Sequence, residues 1–285
     1  MAGKKSAKSN TRSPEAVRAL VVGAHPDDPE VMAGGLAALW TDAGGVVKFL
    51  SMTNGDAGHH EMGGGPLARR RFAETQASAR VLGIAYDVVD RHDGELEPTL
   101  ANRFDLIRRI REFRPDIVLT HPPDDYHPDH RYTSQLVQDA AMSVTVPNVC
   151  ALTPCLRRNP VFAYAMGTAG VTRQFAPEIF ADIGRVVERK LDMLACHVSQ
   201  FAEWIPWLAG RLSEMPRRPA EREAWIRDGW RARLRTLAER FRGPISRRFG
   251  AVRGLRIEYV EAVEICAYGA PLTDAARARL FPFAG

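Results

Sequence analysis

No apolar run in this chain approaches the ~18 residues that a membrane-spanning helix requires, and its four cysteines (Cys150, Cys155, Cys196 and Cys266) form no Cys-x-x-Cys pair. The first absence excludes a helical membrane protein. The second favours a reduced, cytoplasmic one, with a Cys150–Cys155 disulfide as the weaker reading. The first fourteen residues are rich in Lys, Ser and Asn but hold no apolar core. That pattern reads as a disordered basic tail and not as a secretory signal. Residues 15–285 are enough for one large catalytic domain.

Acidic residues are scarce in one stretch. Residues 211–256 hold fourteen arginines against five acids, and the tail adds Lys4, Lys5, Lys8 and Arg12, although the whole chain carries only +5. The remainder is therefore acidic. A basic segment on an acidic body can dock on an anionic polymer, but a solvated helical face of Arg/Glu pairs is the expected reading, and no nucleic-acid motif is present. This Arg- and Trp-rich region, about 201–256, reads as a helical elaboration on the catalytic domain. Its tryptophans (Trp204, Trp207, Trp225 and Trp230) could line a lid, form an oligomer interface or fill a satellite core, the last being favoured.

What the chain does have is strand and helix signals in alternation. Apolar β-rich runs at 17–24, 46–52, 86–89 and 117–120 are separated by helical patterns at 31–42, 66–82, 101–113 and 131–142, and further strands are expected at 161–165 and 257–266. A helix is expected at 182–198. Continuous apolar strands between helices predict an α/β, Rossmann-like fold, with a mostly parallel sheet covered on both faces. In such folds the site lies beyond the carboxyl ends of the strands. The polar clusters fall there: Ala24-His25-Pro26-Asp27-Asp28-Pro29-Glu30, Thr53-Asn54-Gly55-Asp56, residues 90–95, and His127-Pro128-Asp129-His130.

Imidazoles and carboxylates at this spacing suit a catalytic zinc with an open position. His25 and Asp28, three apart in a tight turn, can reach one ion, and His130 can supply the third ligand. Asp27 is then placed to take a proton from water, and His127 to stabilise an oxyanion or protonate a leaving amine, with Asp129 holding its tautomer. Glu30 either orients a ligand imidazole or caps the following helix. His59-His60, in a Gly-rich loop, reads as solvated in preference to a second metal site. His92 and His121 read as strand-end structure.

These residues carry a family resemblance. The pairing of Ala-His-Pro-Asp-Asp-x-Glu with His-Pro-Asp-His resembles the zinc-dependent LmbE/PIG-L deacetylases, which include the N-acetylglucosaminyl deacetylases of mycothiol and bacillithiol synthesis. The likeness spans most of residues 17–200. It includes Gly34-Gly35, Arg71-x-x-Glu74, Asp93-Gly94, Arg114-Pro115-Asp116 and Lys190 with His197-x-Ser199-Gln200. Pro29, between Asp28 and Glu30, makes the pattern closest to the bacillithiol branch. The resemblance implies His25, Asp28 and His130 as ligands of Zn2+ (or another divalent metal), Asp27 as general base and His127 as electrostatic catalyst. It implies Arg71, Asp93, His197 and Gln200 as substrate contacts, and assembly into trimers or hexamers. The expected reaction is removal of an acyl group, most simply acetyl, from a sugar-linked amide. An amidase acting on a larger conjugate, and a non-catalytic protein binding through the Arg-rich segment, are the alternatives.

Overall fold

Alternate residues of the first strand feed two different cores, Ala19 and Val21 on one side of the sheet and Leu20 and Val22 on the other. In this computed structural model, which describes residues 16–165 and 175–284, that strand is β1 (Arg18–Gly23). It lies between β2 (Val46–Ser51) and the strand Ile117–Thr120, both parallel to it. With β3 at Ala85–Val88, β4 at Ile117–Thr120, β5 at Val161–Ala165, β6 at Ile179–Asp182 and β7 at Val260–Ile265, the seven-stranded sheet runs β3-β2-β1-β4-β5-β7-β6. Only β7 is antiparallel to its neighbours. The chain order reverses between β1 and β4, so the crevice beyond their carboxyl ends is where an open α/β sheet places its ligand.

Helices α1 (Asp28–Asp42), α2 (Gly64–Leu82) and a later α5 (Val187–Ala195) cover one face, and α3 (Leu100–Phe113) and α4 (Pro128–Ser143) cover the other. The fold is the α/β class expected. Strand β6 was not foreseen, and the helix expected at 182–198 begins only after it. The basic tail lies outside the described residues.

Helix α1 is broken. Ala33 has φ −146° and ψ 21°, which leaves backbone groups on either side of it without helical partners. Glu261 on β7 takes the N–H groups of Gly35 (2.8 Å) and Leu36 (2.7 Å), while the Lys190 ammonium donates to Val31 O (2.9 Å) and to Glu261. Both side chains are buried, so the break is closed by one ion pair.

After α5 the chain makes a π-helical turn (Ser199–Trp204), a short α6 (Ile205–Leu208), the long α7 (Pro219–Arg240), α8 (Arg242–Phe249) and α9 (Ala251–Arg256), before β7 and a final α10 (Asp274–Leu280). Helix α7 buries Ile226, Trp230, Leu234 and Ala238, one residue per turn. Ile226, Trp230 and Leu234 pack with Leu191, Leu194 and Phe201 in a third, satellite core. Trp230 therefore fills that core as expected. Trp204 and Trp207 do not: they stack on each other, and Trp207 stacks on His60. Much of the Arg-rich face is paired, Arg227 with Glu188 and Asp192, Arg231 with Glu188, and Arg242 with Glu239. All four cysteines are free, and among the described residues no helix is long and apolar enough to cross a membrane.

Candidate metal centre and active site

The turn after β1 is tight because the N–H groups of both Asp27 and Asp28 donate to His25 O, at 3.0 and 3.2 Å. It forces Asp27 to φ 154°, a conformation that an L-residue keeps only when its surroundings hold it there. Arg71 on α2 does so, donating to Pro26 O and to Asp27 Oδ1, both at 3.1 Å, and to Gly55 O at 3.0 Å. Gly55 sits at φ +70° against that guanidinium, where a Cβ would come within 2.4 Å of it. Gly23 is needed for a similar reason, since a Cβ there would lie 2.7 Å from both Asp28 Cβ and Pro29 Cδ.

Three donor atoms converge beside this turn. His25 Nδ1 lies 3.2 Å from His130 Nε2 and 3.3 Å from Asp28 Oδ2, and the latter two are 3.4 Å apart. A tetrahedral ion with bonds of about 2.0–2.1 Å sets its ligands about 3.3–3.4 Å apart. The protons on the two rings are directed elsewhere. His130 Nδ1 faces Asp125 Oδ1 at 2.9 Å, and His25 Nε2 faces Asp93 (3.0 Å) and Asp129 (3.4 Å). Each imidazole thus has a carboxylate near its outer nitrogen and its other nitrogen beside the common centre, the arrangement that metal-binding histidines need. Burial opposes the charged form of His25, but hydrogen bonds to Asp129, Asp28 and Asp93 outweigh it and hold the pKa well above the ordinary value. Burial likewise opposes ionised Asp28, yet His130 and His121 hold its carboxyl well below the usual range. The donor set is built around positive charge and fits a divalent cation.

His121 lies close enough to join, with Nε2 3.3 Å from Asp28, and Asp28, His121 and His130 also satisfy the spacing of a metal cluster. Its Nε2 lone pair is already taken by the Ala24 N–H at 3.0 Å, and its ring stacks on His130 at 4.0 Å. His121 is therefore strand-end structure that fixes the His130 ring.

Asp27 and His127 flank the centre. Burial pushes the Asp27 pKa up to about 6, against the lowering effect of Arg71. His127 precedes α4, and its Nδ1 accepts the Asp129 N–H at 3.2 Å. That contact leaves the proton of the neutral ring on Nε2, and burial together with His25 and His130 lowers the pKa. The expected pairing of the Asp129 carboxylate with His127 is not found. Asp129 Oδ2 instead accepts from Gly94 N at 2.8 Å and faces His25, so the backbone and not a carboxylate sets the His127 tautomer.

A cavity of about 310 Å³ opens over these groups, walled by Arg71, Asp93, His127, Gln200 and Trp204 among others. His197 does not reach it. That ring is fully buried, 2.9 Å from Glu30, and Glu30 also accepts from Ser78 (2.6 Å) and Tyr86 (3.3 Å). Glu30 consequently neither orients a ligand nor caps α1; it is the centre of a buried network behind the site. The His59-His60 loop is not a solvated tip. His59 and both terminal nitrogens of Arg70 meet Glu203 of the π turn at 2.6–2.9 Å, and Gln200 donates to Gly58 O. Asp125 escaped sequence reasoning, although an acid five residues before a ligand histidine was the available signal.

Comparison with known proteins gives a family and several relatives. The family described as GlcNAc-PI de-N-acetylase (PIG-L) matches residues 20–141. A diacetylchitobiose deacetylase of Thermococcus kodakarensis is 33% identical over 206 residues, covering 67% of this chain and 74% of that one. A probable N-acetyl-alpha-D-glucosaminyl L-malate deacetylase 2 of Bacillus anthracis is 26% identical, covering 64% and 81%. A 4-oxalmesaconate hydratase of Pseudomonas putida is also 26% identical, covering 65% and 75%. Among solved structures, N,N'-diacetylchitobiose deacetylase from Pyrococcus horikoshii superposes with a TM-score of 0.69 at 25% identity, covering 89% of this chain and 85% of that one.

Proposed function

Because the chain belongs to the PIG-L family of de-N-acetylases, we propose that it is a zinc-dependent hydrolase removing the acetyl group from an N-acetylglucosamine-type amide in a small sugar conjugate. The observation that carries this reading is the triangle of His25 Nδ1, Asp28 Oδ2 and His130 Nε2, with edges of 3.2–3.4 Å. An ion held by these three supplies Lewis acidity toward an acyl oxygen and lowers the pKa of water in the site.

The chain's own residues do the rest. Asp27, whose pKa of about 6 suits a base near neutrality, takes a proton as water oxygen bonds to the carbonyl carbon. His127 offers its Nε2–H to the oxygen that becomes negative. When the C–N bond breaks, the proton on Asp27 passes to the departing amine, leaving acetate and a free amino sugar. Arg71 fixes the Asp27 carboxylate, and with Asp93 and Gln200 it supplies the polar wall that would meet sugar hydroxyls.

The test is amine release from a panel of N-acetylglucosamine conjugates by zinc-loaded and chelator-stripped protein. Release that depends on zinc is expected. Asp27→Asn should lower kcat by about 10²–10⁴-fold while zinc content, measured by elemental analysis, stays unchanged. Absence of amine together with water addition to 4-oxalmesaconate would move the reading to the reaction for which the Pseudomonas relative is named.

A further inference from the structure

Beside the catalytic cavity the elaboration encloses a second one of about 190 Å³, and a narrower space of about 90 Å³ lies between them. The narrow space has Asp27, Asp28 and Tyr126 in common with the catalytic cavity, and Phe201, Trp230 and Arg233 in common with the second. Ile205 lines all three. The second cavity is walled mainly by Phe201, Pro206, Trp225, Ile226 and Trp230, and no carboxylate lines it.

Arg233 stands at its entrance. Other arginines of α7 find acids one turn away on the helix or on α5, as Arg227 and Arg231 do. Arg233 has Gly229, Trp230, Thr236 and Leu237 at those positions, so its own helix offers no partner. Its guanidinium lies over the Trp230 ring, 4.9 Å from the centroid, a contact that leaves the N–H edges free. Among the described residues no carboxylate lies within ion-pair distance of it. Arg233 is solvent-exposed; the wall on its inner side disfavours its charge, and the Tyr126 phenol acts in the opposite sense. An exposed cation at the edge of an apolar wall, with no ion-pair partner among the described residues, is one that a ligand anion can reach. The second arginine of this cavity, Arg211, is already paired with Glu214.

We infer that the substrate carries an apolar, ring-sized substituent bearing an anionic group, seated in the cavity of Phe201, Trp225 and Trp230 with its negative charge on Arg233. This deepens the deacetylase reading and rests on it. The chemistry at Arg233 is the same whether the anion belongs to the aglycone or to the acyl group, so the experiment has an arm for each.

In one arm kcat/KM is compared for the 4-carboxyphenyl and 4-carbamoylphenyl glycosides of N-acetylglucosamine. The other compares N-(4-carboxybenzoyl) with N-(4-carbamoylbenzoyl) glucosamine. Each pair differs in charge at nearly constant shape. Zinc-loaded protein should prefer the anion by about tenfold or more in one arm, the worth of a charge-assisted hydrogen bond. Arg233→Gln should bring that ratio close to one, and Arg233→Lys should keep part of it, since lysine retains the charge without the fork. Equal turnover of charged and neutral members in both arms overturns the inference and leaves the deacetylase reading intact. If no substrate releases amine, that reading falls, and titration with 4-hydroxybenzoate decides the inference by tryptophan fluorescence. Quenching in the wild type that is lost in Arg233→Gln sustains the anion site, and no quenching in the wild type overturns it.

Discussion

Asp125 sets which nitrogen of His130 is bare, because its Oδ1 holds the proton on Nδ1 at 2.9 Å. Asp125→Asn keeps the shape but weakens that acceptor, and it should lower metal affinity by about 10–100-fold, measured by competition with a chromophoric chelator. The proposed ligands stand out in the sequence because His25, Asp28 and His130 lie in two short motifs, each within ten residues of the carboxyl end of a strand. The residues behind them were not. The partner of Asp129 is Gly94, from the loop after β3, and the partner of His197 is Glu30, 167 positions away. Contacts of that kind depend on the sheet order, which no local spacing encodes.

At the scale of elements, the ion pair that mends α1 should be costly to break. Glu261→Gln leaves the Lys190 ammonium buried without its charge partner and is expected to destabilise the fold by about 3–5 kcal/mol, read from urea unfolding. A second junction responds to pH. Asp105 on α3 accepts from Arg91 (2.8 Å) and from Arg109 (3.1 Å). Burial raises its pKa, but these two hydrogen bonds outweigh that and leave it below the ordinary value. The folded carboxyl therefore releases its proton more readily than the unfolded one. Its contribution is complete above an unfolded pKa of about 4 and is lost as pH falls through the depressed folded value. Asp105→Asn should flatten the acid side of the stability profile below about pH 5 and leave its slope at neutral pH unchanged. Strands β1, β4 and β5 were readable because nearly all their residues are buried, and so they run almost continuously apolar. Strand β6 was not, since four residues paired with a strand some eighty positions later give no periodic signal. The break at Ala33 was missed as well, although Gly34-Gly35 directly after it was an available signal.

Across the whole molecule, the proposed ligands lie in the turn between β1 and α1 and in the first turn of α4, so an ion held there would join segments about a hundred residues apart. Binding to the folded chain alone adds about 2.7 kcal/mol of stability at a metal concentration of 100 times Kd. Chelation should therefore lower Tm, and zinc should restore it, in a calorimetric scan. The acidic body and the basic elaboration also have a shared purpose in this arrangement. Glu203 ties the Gly-rich loop to the π turn, and the same turn supplies Gln200 and Trp204 to the catalytic cavity. Part of the cavity wall thus comes from a region outside the matched family segment, residues 20–141.

The mended break in α1 also imposes an order of events on the growing chain. Asp28 lies in the first turn of α1, but the helix beyond Ala33 completes its hydrogen bonding only when Glu261 arrives, 226 positions after Gly35. Pairing over such a separation is slow to form. A ribosome must have made the chain through Glu261 before the turn that carries Asp28 rests on a finished helix. Until then the nascent polypeptide carries Asp28 on an incomplete support.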